Sequence, residues 1–324
     1  MKPRLILLAS GALVAAVALS ACSSASSAPS TTSTPGGPVS IVASTNVYGS
    51  IAEAIGGSDV EVTSLISSSA QDPHEYEATA RDQLTLSKAT VVIENGGGYD
   101  PFVDDMLSSA GNTGAVVLNA SDISGLEPVS EHTPTAESTP GTDGQDEGDV
   151  EGFNEHVFYS FPAMDALARE LAKALGDADP ADAATYQANY QAFSGQLDTL
   201  TQGVEKIKAA HAGEGVAITE PVPLYMLEAA GLINRTPPEF SEAIEEGTDV
   251  PPLVLQSTLK LMSDKSVAML AYNEQTSGGE TEQVSDAAKA AGIPVVGFTE
   301  TLPDGDDYIG WMTANVAAVS SALG

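Results

Sequence analysis

Cysteine and positive charge are scarce in this 324-residue chain, and each shortage excludes a class of site or partner. The single cysteine, Cys22, rules out an intrachain disulfide and a metal site built from several thiolates. Lysine and arginine number 12 against 45 aspartates and glutamates, for a formal net charge of −33. Because the phosphates of nucleic acid would repel so acidic a chain, we exclude nucleic acid as a partner. Imidazole is also limited, to His74, His132, His156 and His211.

The first 22 residues have the pattern of a targeting segment. Lys2 and Arg4 precede an apolar run over residues 5–19, shorter than the ~20 residues that a membrane-spanning helix needs. The run ends in Leu19-Ser20-Ala21-Cys22, which resembles a bacterial lipobox. The resemblance implies that residues 1–22 are a lipoprotein signal peptide and that Cys22 becomes a lipid-modified N-terminus, anchored on the extracytoplasmic face of the cell membrane. An ordinary secretory signal with an incidental cysteine is the alternative.

The remaining sequence predicts an α/β fold with two parallel-sheet lobes. Residues 23–38 are rich in Ser, Thr, Pro and Gly and are interpreted as a flexible tether. Beyond them, β-branched runs alternate with helical patterns over 39–178 and again over 212–324, as is typical of parallel sheets. The predicted strands are 39–44, 60–66, 90–94 and 115–118, all expected to be buried, then 216–219, 267–272 and 294–298. The predicted helices are 47–55, 81–87, 101–109, 224–230, 281–291 and 308–322.

A long helix is predicted between the lobes, over residues 179–211. Asp179 offers an N-cap and Pro180 a first-turn proline. Gly195 and Gly203 would each cost this helix about 1 kcal/mol relative to alanine, so its stability must come from packing. We expect a monomer in which this is a single linking helix. A coiled-coil dimer is the alternative. Seven apolar residues repeat on one face: Tyr186, Tyr190, Phe193, Leu197, Leu200, Val204 and Ile207.

Residues 127–152 differ from both lobes in composition. They are rich in Glu, Asp, Thr, Pro and Gly, have almost no large apolar residues, and contain His132. Such a segment cannot bury enough apolar surface to offset its ordering entropy. We therefore expect an acidic, disordered loop within the first lobe, and we assign no role to His132.

Four short tracts resemble, in order, the metal-ligand loops of bacterial substrate-binding proteins that deliver zinc or manganese to ABC importers. The resemblance covers residues 39–324, including the long helix, and implies a helical-backbone substrate-binding protein. It further implies an ABC permease as partner, no enzymatic activity, and His74, His156, Glu220 and Glu300 as metal ligands. Two positions depart from the family pattern, which usually has Asn-Pro-His in the second loop and Asp as fourth ligand. The tracts are Asp72-Pro73-His74-Glu75-Tyr76-Glu77, Asn154-Glu155-His156-Val157-Phe158, Thr219-Glu220 and Thr299-Glu300.

The chemistry of these residues suits a divalent cation. Glu220 and Glu300 follow predicted strands, and ligand sites in parallel sheets gather at the carboxyl ends of strands. Two neutral imidazoles and two carboxylates balance the charge of a divalent ion and provide several donor atoms. Each residue also has an ordinary alternative: an exposed loop histidine for His74, a buried structural histidine for His156, and helix caps for the two glutamates.

The sequence leaves the metal and two rival functions open. Glu220 resembles the manganese-binding members of the family, whereas intrinsic affinity favours Zn²⁺ over Mn²⁺ at almost any such site. A receptor of the same architecture for an organic or chelated-iron ligand is one alternative function, although the chain has few arginines to hold such a ligand. A zinc hydrolase is another, but it needs an open coordination position and a general base.

Overall fold

The computed structural model describes residues 37–68, 71, 73, 76–126 and 153–324. The predictions for the signal peptide, for Cys22, for tether residues 23–36, for His74 and for the acidic segment 127–152 fall outside these residues. The chain from Gly37 to Gly324 forms one compact unit. Within the described ranges, no helix is both long and apolar enough to cross a membrane.

The first lobe is built on four parallel strands in the spatial order β2-β1-β3-β4. Its predicted strands are found, but the expectation that all are buried is wrong for the two edge strands, β2 and β4. In β2, Glu61 and Thr63 are exposed. Val116 and Val117 are 43% and 41% exposed, because β4 lies at an edge of the sheet. The elements are β1 (Val39–Thr45), α1 (Asn46–Gly56), β2 (Val60–Ile66), α2 (Ala80–Leu86), β3 (Val91–Glu94), α3 (Phe102–Ala110), β4 (Val116–Asn119), α4 (Ala120–Ser124) and α5 (Phe161–Ala178).

The second lobe repeats this topology, with parallel strands in the order β6-β5-β7-β8. The strand order therefore reverses between β1 and β3 in one lobe and between β5 and β7 in the other. Ligands of such sheets bind beyond the carboxyl ends of the strands at these reversals. Its elements are β5 (Gly215–Ile218), α7 (Leu224–Ala229), β6 (Ile233–Asn234), α8 (Pro238–Glu245), α9 (Pro252–Ser263), β7 (Leu270–Asn273), α10 (Gly279–Ala291), β8 (Val295–Phe298) and α11 (Tyr308–Leu323).

The long linking helix is α6, Ala183–His211, and it packs against α1 and α5 of the first lobe and α7 and α11 of the second. Its predicted apolar face is correct, since six of the seven residues are buried and Tyr190 is half-buried. The predicted N-cap is wrong. Asp182 occupies that position, whereas the N–H of Asp179 bonds to Leu175 O at 2.7 Å and ends α5.

Hydrogen bonds also join the loop after β8 to the first lobe. Asn46 bonds the backbone of Leu302 twice, donating to its carbonyl at 3.1 Å and accepting from its N–H at 3.0 Å. The Tyr159 hydroxyl donates to Thr299 O at 2.8 Å. Farther along, the Tyr308 hydroxyl donates to Phe158 O at 2.7 Å. These contacts hold the loop of residues 299–302 against the first lobe.

Candidate metal centre

His156 is held in a buried loop with one ring nitrogen already engaged. Asn154 Oδ1 accepts a hydrogen bond from the His156 backbone N–H at 3.1 Å and from its Nδ1 at 2.8 Å. Asn154 Nδ2 donates to Pro221 O at 3.1 Å, which determines the orientation of the amide. Because Nδ1 serves as the donor to Asn154, Nε2 is the ring nitrogen that faces Glu300, and it lies 3.7 Å from Glu300 Oε2.

A glycine-rich turn after β3 supports this histidine loop. Gly96, Gly97 and Gly98 all have positive φ, at 71°, 65° and 95°, a conformation that other residues adopt rarely. The Asp100 carboxylate accepts the backbone N–H groups of Asn95 and Gly96 at 2.7 and 2.8 Å. Asn95 Nδ2 in turn donates to the Glu155 carbonyl at 2.9 Å. The turn therefore positions the residue immediately before His156.

Glu220 and Glu300 are buried carboxylates that share one amide. They follow β5 and β8, and they are only 3% and 1% exposed. Asn273 Nδ2 donates to Glu220 Oε2 at 2.9 Å and to Glu300 Oε1 at 2.8 Å. The Tyr99 hydroxyl reaches Glu300 Oε2 at 3.3 Å, and the Thr276 hydroxyl donates to Glu220 Oε1.

Burial and the neighbouring charges shift the pKa values of these groups. Burial raises the pKa of Glu220, and repulsion by Glu300 adds to that effect, although hydrogen bonds from Thr276 and Asn273 oppose it. For His156, burial lowers the pKa, but its contact with Glu300 and the charges of Glu155, Glu300 and Glu245 raise it to about 9. The surrounding carboxylates thus favour positive charge at this point, and a metal ion would take the place of the imidazole proton.

A second carboxylate group lies on the Nδ1 side of the same imidazole. Glu155, His156 and Glu245 offer ligand atoms that are all within 4.8 Å of one another. Glu245 comes from the end of α8 in the second lobe, and its Oε1 lies 3.7 Å from His156 Nδ1. Neither glutamate belongs to the predicted ligand set. The acidic pair Glu245-Glu246 predicts a solvated helix face, and that interpretation is wrong for Glu245, whose side chain is 18% exposed and faces His156.

The structure brings together three of the four predicted ligands: His156, Glu220 and Glu300. His74 lies outside the described residues, but Gln71 on the same loop accepts a hydrogen bond from Gln275 Nε2 at 3.4 Å. Gln275 Oε1 also accepts from the backbone N–H of Thr301 at 3.1 Å, next to Glu300. Gln71 of the first lobe therefore lies close to the loop that carries Glu300.

Sequence reasoning missed the loop after β7, which contains Asn273, Gln275 and Thr276. The signal that could have found it is the one used for the two glutamates, a polar residue at the carboxyl end of a predicted strand. Asn273 is that residue for β7.

Known proteins that are similar to this chain are named for metal transport. A family model described as the periplasmic component A of the zinc-uptake complex (ZnuA) matches residues 41–322. The manganese ABC transporter substrate-binding lipoprotein scaA of Streptococcus gordonii is 26% identical over 301 residues, covering 88% of this chain and 89% of that protein. The iron ABC transporter substrate-binding lipoprotein MtsA of Streptococcus pyogenes serotype M1 is 25% identical over 304 residues, with coverages of 88% and 89%.

Solved structures show the same two-lobed fold. The periplasmic zinc binding protein TroA from Treponema pallidum matches with a TM-score of 0.68 and 20% identity, over 89% of this chain and all (100%) of that one. A structure described as ZnuA matches with a TM-score of 0.67 and 20% identity, with coverages of 89% and 100%. Because the family model spans nearly the whole chain beyond residue 40, the protein belongs to the ZnuA family of extracytoplasmic metal-binding, substrate-binding proteins of ABC importers.

Proposed function

We propose that this protein captures one divalent transition-metal ion, Zn²⁺ or Mn²⁺, between its lobes and delivers it to an ABC permease. The proposed ligands are His74, His156, Glu220 and Glu300. The observation that carries the proposal is the convergence of a buried imidazole from one lobe and two buried carboxylates from the other. His156 Nε2 is 3.7 Å from Glu300 Oε2, and one amide joins Glu300 to Glu220.

A cation would stabilise these buried groups. Two carboxylates that are almost fully buried and share one amide repel each other, and burial disfavours their charged forms. A divalent ion would remove both penalties at once. Imidazole nitrogen and carboxylate oxygen are suitable ligands for Zn²⁺ and for Mn²⁺. Four protein ligands leave little room for the open position that a hydrolytic metal needs, which supports transport rather than catalysis.

The cellular setting belongs to the same proposal. Lipid attachment at Cys22 would hold the protein at the extracytoplasmic face of the membrane, near the permease that receives the ion. The lipobox-like residues 19–22 support this, and the relatives scaA and MtsA are both named lipoproteins of ABC transporters. Residues 23–38 would then be a flexible tether between the membrane and the folded unit.

The test uses the full chain, expressed in a bacterium, extracted from the membrane fraction with detergent and stripped of metal. Calorimetric titration with Zn²⁺ and with Mn²⁺ is expected to give one ion per chain. Replacing a ligand in His74→Ala, His156→Ala or Glu220→Ala should weaken binding by more than about 100-fold, the upper range found for residues that only support a ligand.

His211→Ala is the matched control, because His211 lies at the end of α6 with its Nδ1 3.0 Å from Glu214 Oε1, outside the group described above. It should bind metal as the wild type does. Unchanged stoichiometry and affinity in the ligand variants would show that the site is wrong. Recovery of the protein only from the soluble fraction would contradict lipid attachment.

A further inference from the structure

We propose that Asn273 restricts Glu220 and Glu300 to one metal-facing oxygen each, and that it thereby selects for a metal ion of low coordination number. This inference rests on the proposed function, since it concerns the carboxylates of that same site. Asn273 is a positioning residue that determines specificity through the two carboxylates and does not bind the ion. It lies at the end of β7 and is 2% exposed.

The orientation of the Asn273 amide is determined by the backbone around it. Its Oδ1 accepts the N–H of Gln275 at 3.1 Å, so the oxygen faces the loop. The N–H of Asn273 itself donates to Thr219 Oγ1 at 2.9 Å, which ties the residue to the end of β5. With Oδ1 occupied, the amide cannot exchange its oxygen and nitrogen without losing a hydrogen bond, and Nδ2 must face the carboxylates.

Each carboxylate therefore has one oxygen engaged by Nδ2. For Glu300 the atom that accepts from Nδ2 is Oε1, at 2.8 Å, whereas Oε2 lies toward His156 and accepts from the Tyr99 hydroxyl at 3.3 Å. For Glu220 it is Oε2, at 2.9 Å, which leaves Oε1. Oε1 accepts from the Thr276 hydroxyl, but a hydroxyl hydrogen can rotate away, whereas the amide nitrogen is fixed.

The two hydrogens of Nδ2 serve three oxygens, because Thr276 Oγ1 also lies 2.7 Å away. Charged acceptors form the stronger hydrogen bonds, so the amide hydrogens bond the carboxylates in preference to Thr276 Oγ1. An oxygen that already accepts this fixed hydrogen bond has less electron density to give to a metal ion, and sharing the oxygen would weaken the hydrogen bond in a buried site. That cost disfavours bidentate coordination by both residues.

The consequence is a choice between metals. Two glutamates that each offer one oxygen, together with two imidazoles, make a four-ligand set, which is the preference of Zn²⁺. Mn²⁺ favours more oxygen ligands in an octahedral arrangement. Bidentate glutamates would supply those oxygens. Asn273 thus shifts the site toward the tetrahedral ion without touching it.

Co²⁺ absorption tests the inference, because tetrahedral Co²⁺ absorbs visible light far more strongly than octahedral Co²⁺. The full chain loaded with Co²⁺ is expected to show the strong, low-coordinate spectrum. Asn273→Ala should weaken that absorption and reduce the preference for Zn²⁺ over Mn²⁺ by about 10-fold or more, measured by competition. Asn273→Ser, which keeps one donor, should lie between the two.

Asn112→Ala is the control, since Asn112 donates a side-chain amide to Leu86 O and Ala89 O at 3.0 Å in the first lobe. It should leave the spectrum and the metal preference unchanged. An octahedral spectrum in the wild type would overturn the inference even if no variant folds, and so would an unchanged spectrum and preference in folded Asn273→Ala. If the wild type bound no metal ion, the proposed function itself would fail.

Discussion

Glu94 is a buried carboxyl directly before the glycine-rich turn that follows β3. It ends β3, is 4% exposed, and its Oε1 accepts a hydrogen bond from Asn119 Nδ2 at 3.0 Å. Burial raises its pKa to about 8, and the negative charges of Asp104 and Asp100 add to the rise. The folded protein therefore holds a proton on Glu94 at neutral pH, where the unfolded chain does not. Single residues of this kind make the stability of the fold depend on pH.

Glu94→Gln is expected to reduce the loss of stability between pH 5 and pH 8. An acid whose pKa is higher in the folded protein than in the unfolded chain does not lower stability below its unfolded pKa. It destabilises the fold progressively as pH rises from the unfolded pKa through the folded pKa. The rise from 4.5 to about 8 sets an upper limit of about 5 kcal/mol for this effect. Glutamine keeps the oxygen that Asn119 bonds and cannot ionise. Urea unfolding of the metal-free protein at both pH values measures the difference.

Other buried acids with raised pKa values, such as Asp100 and Glu220, remain in the variant. The contribution of Glu94 is therefore the change in slope between wild type and variant. Identical slopes for the two proteins would show that folding does not raise the pKa of Glu94.

At the scale of elements, α6 shows how packing distinguishes two glycines that the sequence treats alike. Gly195 is exposed, and a Cβ added there would have no heavy atom within 4 Å outside its own helix turn. A Cβ on Gly203 would lie 3.0 Å from Val316 Cγ1 of α11. Gly203 thus allows the close approach of α6 and α11, whereas Gly195 only weakens α6.

Gly195→Ala is expected to stabilise the protein by about 0.5–1 kcal/mol, because alanine loses less backbone entropy in a helix. Gly203→Ala should gain less or lose stability, since its methyl group would press on Val316. Chemical unfolding of the two variants beside the wild type measures this difference. Equal gains would mean that α11 can move away from α6 at no cost.

Element boundaries show where local patterns are insufficient. The strands and the apolar face of α6 were predictable because hydrophobic periodicity depends on residues that are close together in the sequence. The start of α6 was not, since Asp179 and Asp182 are equally good caps by composition. Asp179 is taken by the end of α5, a helix that the sequence prediction did not contain. Competition between neighbouring helices decided the boundary.

At the scale of the whole molecule, the loop carrying Glu300 is attached to both lobes. It follows β8 of the second lobe, yet the side chain of Asn46, at the start of α1, hydrogen-bonds both the N–H and the carbonyl of Leu302. Tyr159 of the first lobe bonds Thr299 of the same loop. A proposed ligand is thus held in place by contacts between lobes as well as by its own strand.

Asn46→Ala should therefore weaken metal binding as well as folding. Two lost hydrogen bonds correspond to about 1–3 kcal/mol of stability. A loosened Glu300 should reduce metal affinity by about 10-fold, in the range for residues that orient a ligand. Urea unfolding and metal titration of the same preparation measure the two effects.

Asn189→Ala provides the comparison for that variant. Asn189 on α6 donates to Ile55 O at 2.9 Å, so its loss should lower stability by about 1 kcal/mol and leave metal affinity unchanged. If Asn46→Ala also kept full affinity, the attachment of the Glu300 loop to the first lobe would have no part in binding.

The two lobes, their repeated strands and the positions where polar residues follow those strands are predictable from the sequence, because each of these is a local pattern. The sequence also pointed to His156, Glu220 and Glu300, which the fold brings to one place. That Asn273 joins two glutamates, one of them 53 residues away, and that Glu245 reaches His156 follow from the tertiary structure alone. Such contacts depend on distances between remote segments, which chain folding sets and which no window of sequence contains.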